Sequence, residues 1–370
     1  MNTETGIEPV QKKIKLFDPY IGIEEEKAVT RVLHSGFWAS GAGTGNVAKF
    51  EHAFNKFVGS RQCIAVNSGT AALHLALKLF DIRNKEVIIP SLSFVATAHA
   101  VLYNGGKPVF VDVDNETLCV DPDMIKKSIS KKTQVILPVH FGGMPCNLTE
   151  IMSVCHENNI NLVEDAAHAS GASFNGKNIG QHGHAVCFSF HPVKNLAMPG
   201  GGAITLNGTK SSIFAKTLKE SRWFGISDRH GPFYDVKSEG WNYYMNEFSA
   251  AIGIEQLKKL GVMNKIRKNI AKQYFNEINL EHKMPLDENC SYHLYWIRVK
   301  NRNKFIKKMT EYNIEVGIHY KPIHTMSYYN VRQNLPITKM IENELVSIPM
   351  HPNLTDSDIS RVVKTVNEFS

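Results

Sequence analysis

No stretch of the sequence approaches the roughly 18 consecutive apolar residues that a helix needs to cross a bilayer, so a transmembrane helix is excluded. The opening segment, Met1 to Glu8, carries two acids and no apolar run, which is not the pattern of a secretory signal. The six cysteines (63, 119, 146, 155, 187 and 290) include no Cys-x-x-Cys spacing. In a chain of this size they read as reduced, mostly buried thiols of a cytoplasmic protein rather than a disulfide framework. Internal repeats and low-complexity stretches are lacking. So is any dense Lys/Arg run with interleaved aromatics, which leaves no nucleic-acid groove.

What remains is ordinary globular material. Of 370 residues, 43% are apolar or aromatic and 21% are charged, enough for a sizeable core in one large domain or two. The formal net charge is +7, and most of it lies beyond residue 250. That excess fits an anionic small substrate, with a solvated basic surface as the plainer alternative.

From about residue 60 to 206, short apolar runs alternate with helical patterns. The runs are Ile64–Val66, Glu86–Pro90, Val109–Val113, Val135–Val139, Asn161–Glu164, Val186–Phe190 and Ala203–Leu206. Between them, Ala71–Leu79, Phe94–Tyr103, Asp121–Ser130 and Asn147–Asn158 read as helices. Asp121 followed by Pro122 is an N-cap and first helical position, and Asn147 precedes Leu148, Ile151, Met152 and Cys155 at one-face spacing. Buried strand then helix, repeated, predicts an α/β fold: a mainly parallel sheet with helices on both faces. Past a helix through Phe248, Ala251, Ile252 and Leu257, the pattern predicts strand Tyr292–Lys300, helix Lys304–Tyr312 and strand Ile314–Tyr320. The division expected is a large domain over 1–248 and a smaller α+β domain over 249–370.

Three segments carry chemistry, each just past a strand end, where open α/β sheets bind ligands. In Ala65-Val-Asn-Ser-Gly-Thr-Ala-Ala-Leu, the amides of Gly69 and Thr70 and the hydroxyls of Ser68 and Thr70 open a helix, a ready phosphate site. A bare helix cap is the alternative. In Leu162-Val-Glu-Asp-Ala-Ala-His, either Glu164 or Asp165 ends the strand half-buried and must meet a cation, either a protonated pyridine nitrogen or an ordinary Arg or Lys. His168 follows three residues later, as a ligand or as a structural histidine. In Cys187-Phe-Ser-Phe-His-Pro-Val-Lys-Asn-Leu, Ser189 and Lys194 lie between an apolar strand and the glycine-rich turn after Pro199. A lysine there is partly desolvated, which lowers its pKa and frees the neutral amine for Schiff-base chemistry. A phosphate cradle, a strand-end acid and a strand-end lysine are together the handles for pyridoxal phosphate.

Beyond these, Asn67-Ser-Gly-Thr-Ala-Ala-Leu, Pro90-Ser-Leu-Ser-Phe-Val-Ala-Thr-Ala, Glu164-Asp-Ala-Ala-His-Ala and Phe188-Ser-Phe-His-Pro-Val-Lys-Asn resemble the DegT/StrS family of sugar aminotransferases. Gly36-Phe-Trp, Gly240-Trp-Asn-Tyr and Ser347-Ile-Pro-Met-His-Pro do the same, so the resemblance runs from about residue 14 to the C-terminus. It implies a fold-type I aminotransferase architecture, with Lys194 as the Schiff-base lysine and Asp165 as partner of the pyridine nitrogen. It further implies Gly69, Thr70 and Ser189 on the cofactor phosphate, and Phe94 and His168 at the ring or its 3-hydroxyl. Asn242 would reach the phosphate of a neighbouring subunit in a homodimer with shared active sites. His319, Tyr320 and His324 resemble positions lining the sugar pocket.

The implied reaction moves an amino group from an amino acid, glutamate in the family, to a keto sugar carried on a nucleotide. The expected position is C4 of a 4-keto-6-deoxy sugar, with C3 open. A sugar dehydratase on the same scaffold would replace Lys194 by His, and a non-catalytic sensor would lack the lysine or the acid. Two departures bear on the substrate: Ala197-Met-Pro-Gly-Gly-Gly stands where many relatives read Thr-Thr-Gly-Glu-Gly-Gly, and Tyr244 where an Arg is common. No metal is expected, since His182, His184 and His191, or His319 with His324, form no helical His-x-x-x-His pair and no Cys cluster accompanies them. Gly41-Ala-Gly-Thr-Gly reads as a flexible loop near the site mouth.

Overall fold

The computed structural model describes residues 12–329 and 331–370; the segment Met1 to Glu8, read above as no secretory signal, lies outside them. In chain order the elements are α1 (Ile23–Ser35), α2 (Gly45–Val58), β1 (Gln62–Val66), α3 (Gly69–Lys78), β2 (Glu86–Pro90), α4 (Ala96–Tyr103), β3 (Lys107–Val111), α5 (Pro122–Ser128), β4 (Thr133–Ile136), α6 (Leu148–Glu157) and β5 (Asn161–Asp165). A small hairpin follows, β6 (Ser173–Phe174) and β7 (Lys177–Asn178), then β8 (Ala185–Ser189), β9 (Gly202–Leu206), α7 (Ser211–Ser221) and the hairpin β10 (Ile226–His230) and β11 (Phe233–Val236). The chain closes with α8 (Glu247–Glu277), β12 (Tyr295–Arg298), α9 (Arg302–Glu311), α10 (Pro336–Ile341), β13 (Leu345–Ile348) and α11 (Asp356–Phe369).

Seven strands form one sheet in the order β1-β9-β8-β5-β4-β2-β3. Strands β3, β2, β4, β5 and β8 pair in parallel, and β9 lies antiparallel between β8 and β1. The expected α/β class with a mainly parallel sheet is what the chain adopts. Alternate residues of each strand feed two cores. Ile64, Val87, Ile89, Val163, Cys187 and Ile204 pack under α3, α4 and α7, while Ala65, Ile88, Leu162, Val186 and Ala203 pack with α2, α6 and α8. Burial on both faces explains why these strands read as continuous apolar runs. All six cysteines are buried and free.

The second core runs on without a break into the C-terminal elements. Trp296, Ile297 and Val346 of the antiparallel pair β12–β13 belong to the same apolar cluster as Phe50 and Phe188. The strand expected at Ile314–Tyr320 does not form. Ile314 and Gly317 make isolated bridges to Ile14 and Ser347, and the chain then turns over the ends of the main sheet. Ser347 already pairs with Trp296 on β12, and only the Gly317 amide and carbonyl meet it from the other side. A two-residue contact with one apolar face buried has strand-like composition without a ladder.

Parallel pairing sets the carboxyl ends of β2, β5 and β8 along one edge of the sheet, and β1, reversed twice across β9, ends there too. Val66, Pro90, Asp165 and Ser189 therefore come together, and the turns after them build the site.

Candidate active site

A cavity of about 360 Å³ opens at that edge, lined among others by Ser68, Gly69, Thr70, Phe94, Thr97, Asp165, His168, Ser189, Lys194, His319 and Tyr320. Its phosphate-sized end is the start of α3. Ser68 is the N-cap, and its Oγ accepts the amide of Ala71 at 3.1 Å. The amides of Gly69 and Thr70, first in the helix, have no intrahelical acceptor and face the cavity with the Thr70 and Ser189 hydroxyls. Glycine is required at 69 by close approach: a Cβ there would lie 2.7 Å from the Cβ of Ser189. Open amides, hydroxyls and a backbone bared by glycine suit an anion.

Asp165 ends β5 and is 4% exposed. Its Oδ2 accepts the Thr97 hydroxyl at 2.8 Å and its Oδ1 the Ala167 amide at 3.1 Å. Burial raises its pKa, opposed by those two hydrogen bonds and by the charge of Lys194. Such a carboxylate wants a cation. Glu164 turns the other way, into a buried pair with His140 at 2.8 Å.

Lys194 sits in the turn between β8 and β9, half-buried at the cavity wall. The turn is closed by the Met198 amide on the Phe190 carbonyl (2.8 Å) and the Phe190 amide on the Gly201 carbonyl (2.9 Å). Burial lowers the Lys194 pKa to about 8, with Asp165 pulling it back up. A substantial fraction of neutral amine is then available near neutral pH.

His168 is held from both sides. Its Nδ1 accepts the Gly142 amide at 3.2 Å, so the ring proton lies on Nε2 and is donated to the Tyr320 hydroxyl at 3.1 Å. Burial pushes its pKa well down, which keeps the ring neutral. Tyr320 and His319 come from the segment after β12 and α9 and cover the cavity. Burial lowers the His319 pKa to about 4. Phe94, 55% exposed, stands at the mouth with its ring 5.7 Å from that of Tyr320.

Of the residues named from the sequence, Ser68, Gly69, Thr70, Phe94, Asp165, His168, Ser189, Lys194, His319 and Tyr320 line this one cavity. His324 does not. It is buried behind β2, with its Nδ1 2.6 Å from the Ser91 hydroxyl. Asn242 is exposed outside the cavity, and its carbonyl accepts the Asn67 side-chain amide at 3.1 Å. No Lys or Arg beyond residue 250 is among the lining residues; Lys258, Lys259 and Lys308 are engaged in ion pairs elsewhere. The Gly41–Gly45 loop is not at the mouth either. It packs on Trp223 and Arg222, so tightly that a Cβ at Gly41 would lie 2.1 Å from the indole nitrogen. Sequence reasoning missed His293, whose Nε2 lies 3.4 Å from Lys194 Nζ, and Thr97. His293 stands 99 residues from its lysine, with no spacing signal to link them. Thr97 lies 68 residues from Asp165, and nothing in its own motif links it to that carboxylate.

Residues 19–367 match the DegT/DnrJ/EryC1/StrS aminotransferase family. The chain belongs to this family. An uncharacterized protein of Methanocaldococcus jannaschii is 34% identical over 95% of this chain and 96% of its own. The spore coat polysaccharide biosynthesis protein SpsC of Bacillus subtilis is 33% identical over 95% of each. Among solved structures, PseC of Helicobacter pylori, an aminotransferase involved in the biosynthesis of pseudoaminic acid, superposes with a TM-score of 0.91 at 27% identity, covering 97% of this chain and 99% of that one. The chain is therefore an aminotransferase, and its fold is that of the DegT/StrS enzymes. The site fits the cofactor of such enzymes: bared amides at a helix start, a buried carboxylate with room for a cation, and a desolvated lysine on one cavity. Among the described residues no three His, Cys, Asp or Glu side chains cluster as metal ligands. No described helix is long and apolar enough to cross a membrane.

Proposed function

We propose that this aminotransferase uses pyridoxal 5'-phosphate to move an amino group from an amino acid, glutamate as donor, to a keto sugar carried on a nucleotide. The acceptor position proposed is C4 of a 4-keto-6-deoxy sugar, with C3 as the alternative. The observation that carries the reading is that Lys194, Asp165 and the α3 start line one cavity of about 360 Å³. The printed roles of PseC and SpsC, in pseudoaminic acid and spore coat polysaccharide biosynthesis, support a sugar as acceptor.

When bound, the cofactor supplies an electron sink that stores the amino group between donor and acceptor. The chain's own residues do the rest. Gly69, Thr70, Ser68 and Ser189 hold the phosphate. Asp165, fixed through both oxygens by Thr97 and Ala167, holds a proton on the pyridine nitrogen. Lys194, the Schiff-base residue, gives up and takes back a proton at Nζ, with a pKa near enough to neutrality to do both. His168, locked as the Nε2–H tautomer, orients Tyr320, and Phe94 and Tyr320 screen the mouth from water. His319 and Tyr320 face the acceptor.

In a homodimer, the exposed Asn242 beside Asn67 would complete the phosphate site of the partner. Residues 1–248 would carry the cofactor and 249–370 would cover it. A nucleotide-sugar substrate and six free thiols support a cytoplasmic setting.

The test is spectroscopic. Added pyridoxal phosphate should give a visible band near about 410–430 nm that moves to about 330 nm with glutamate. Lys194→Ala should abolish the band. A band that persists in Lys194→Ala defeats the assignment. Product analysis with 4-keto and 3-keto nucleotide sugars then separates C4 from C3.

A further inference from the structure

His293 precedes β12 and stands behind Lys194, on the side away from the cavity mouth. It is 1% exposed. Its ring stacks on Phe17, with centroids 5.3 Å apart and planes 9° from parallel, and lies 4.4 Å from the ring of His168. Among the described residues, Lys194 Nζ makes one protein hydrogen bond, to His293 Nε2 at 3.4 Å. That is long for a hydrogen bond, as suits an amine that must also turn into the cavity.

The ring is held on its backbone as well. Gly142 donates its amide to His168 Nδ1 and accepts the His293 amide at 2.8 Å on its carbonyl, so one residue links both histidines. Asn195, next to the lysine, donates to the Ser291 carbonyl at 2.7 Å and to Asn264 Oδ1 at 2.9 Å on α8. The Ser291 hydroxyl donates to the His168 carbonyl at 3.0 Å. The lysine turn, the His168 loop and the approach to β12 are thus tied into one frame.

We propose that His293 is a positioning residue for the catalytic amine. Its Nε2 accepts an N–H of Lys194 whenever that lysine is not bonded to the cofactor, and so holds Nζ at the inner wall with its remaining valences turned to the cavity. The proposal rests on Lys194 being the Schiff-base lysine. The charges fix the direction of the bond. The groups facing the pair are Asp165, His168, His191, His319, Tyr320 and Arg267, and burial together with Lys194, His168, Arg267 and His319 keeps His293 neutral. An ammonium cannot accept, so the Nε2 lone pair faces Lys194 and the ring proton lies on Nδ1, a buried atom with no partner among the described residues. Holding the freed amine beside its point of return shortens the search for that geometry at each turnover.

The test is the pH profile of Lys194 methylation by formaldehyde and cyanoborohydride in the cofactor-free full chain, read on the Lys194 peptide by mass spectrometry. His293→Phe keeps a ring on Phe17 but removes the acceptor; His293→Gln removes the ring but keeps an acceptor. Without an acceptor the ammonium form is disfavoured. In His293→Phe the midpoint should fall by about one pH unit, which gives roughly fivefold more reactive amine at about pH 7. In His293→Gln it should stay within a few tenths of a unit. His293→Leu serves as the acceptor-free variant if the Phe variant does not fold. An unchanged midpoint without the acceptor, or an equal fall in His293→Gln, overturns the proposal. Failure of the Lys194 assignment shows separately, as a visible band that survives Lys194→Ala.

Discussion

Glu164 and Asp165 are consecutive on β5, and the pleat sends their carboxylates to opposite faces of the sheet. On the α6 face, Glu164 is fully buried between His140 Nε2, 2.8 Å away, and the Gly183 amide, while His140 Nδ1 accepts the Cys146 amide at 3.0 Å. On the α3–α4 face, Asp165 accepts from Thr97 and Ala167, feels the charge of Lys194 and looks into the cavity. One carboxylate is matched by the protein itself and holds the fold. The other faces an open cavity, where the proposed reading has it meet the cation of a bound cofactor. Burial stabilises or prepares for a ligand according to whether the partner is built in.

The comparison breaks most sharply by substitution at the two sites. Asp165→Asn should lower turnover about a thousandfold, about 4 kcal/mol of transition-state stabilisation. Its cofactor-free melting temperature should stay level or rise. The sign follows from the raised pKa: a carboxyl whose folded pKa exceeds its unfolded value costs stability once pH passes through that window, and the amide removes the charge. The Thr97–Ser93 hydroxyl pair, 2.8 Å apart, can reverse to accept from the new amide. A clear fall in melting temperature would place Asp165 with Glu164 as a structural group.

Glu164→Ala should do the converse. Removing one member of the buried pair and orphaning the Gly183 amide should cost about 3–5 kcal/mol in denaturant unfolding, with turnover per folded molecule nearly unchanged. Acid acts on the cavity side of the contrast as well. His168, His293 and His319 are held neutral in the fold, their pKa values below the unfolded value, His319 at about 4. The unfolded chain therefore binds more protons below about pH 6.5, and stability should fall toward pH 4 by about 1.4 kcal/mol per pH unit per histidine. Replacing His319 by Asn should flatten that slope by one proton in urea titrations. The smallest effect is at the helix start: Ser68→Ala loses the cap on Ala71 and should cost about 1 kcal/mol, with weaker cofactor affinity by equilibrium dialysis.

The sheet half of the site was legible because each of its parts is local. A strand such as β8 (Ala185–Ser189), the turn after it and the polar residue in that turn are contiguous, so the motif carries its own geometry. Ser68 at the cap, Ser189 at a strand end and Lys194 in the following turn could be named without knowing what lay opposite. The choice between Glu164 and Asp165 could not be made from residues alone; the family resemblance pointed to Asp165. The pleat alternates, but only the cover on each face says which side opens to a ligand.

The C-terminal half was legible in part. His319 and Tyr320 were reached through the family, while the strand expected at Ile314–Tyr320 proved to be an extended crossing with two bridges. His324 had similar credentials and faces Ser91 instead. None of the Lys/Arg excess beyond residue 250 lines the cavity, and Lys258, Lys259 and Lys308 are held in ion pairs elsewhere.

By itself, the sequence determined the alternation of buried strands and helices, the parallel sheet that follows from it, and the kinds of group at the strand ends. Those are short-range signals of periodicity, capping and turn composition. Tertiary structure alone decided that β9 runs antiparallel between β8 and β1, that Asp165 rather than Glu164 opens to the cavity, and that His293 and Tyr320 meet Lys194 and His168 across 99 and 152 residues. Contacts across such separations leave no trace in spacing, because they depend on how whole faces pack and not on the residues next in line.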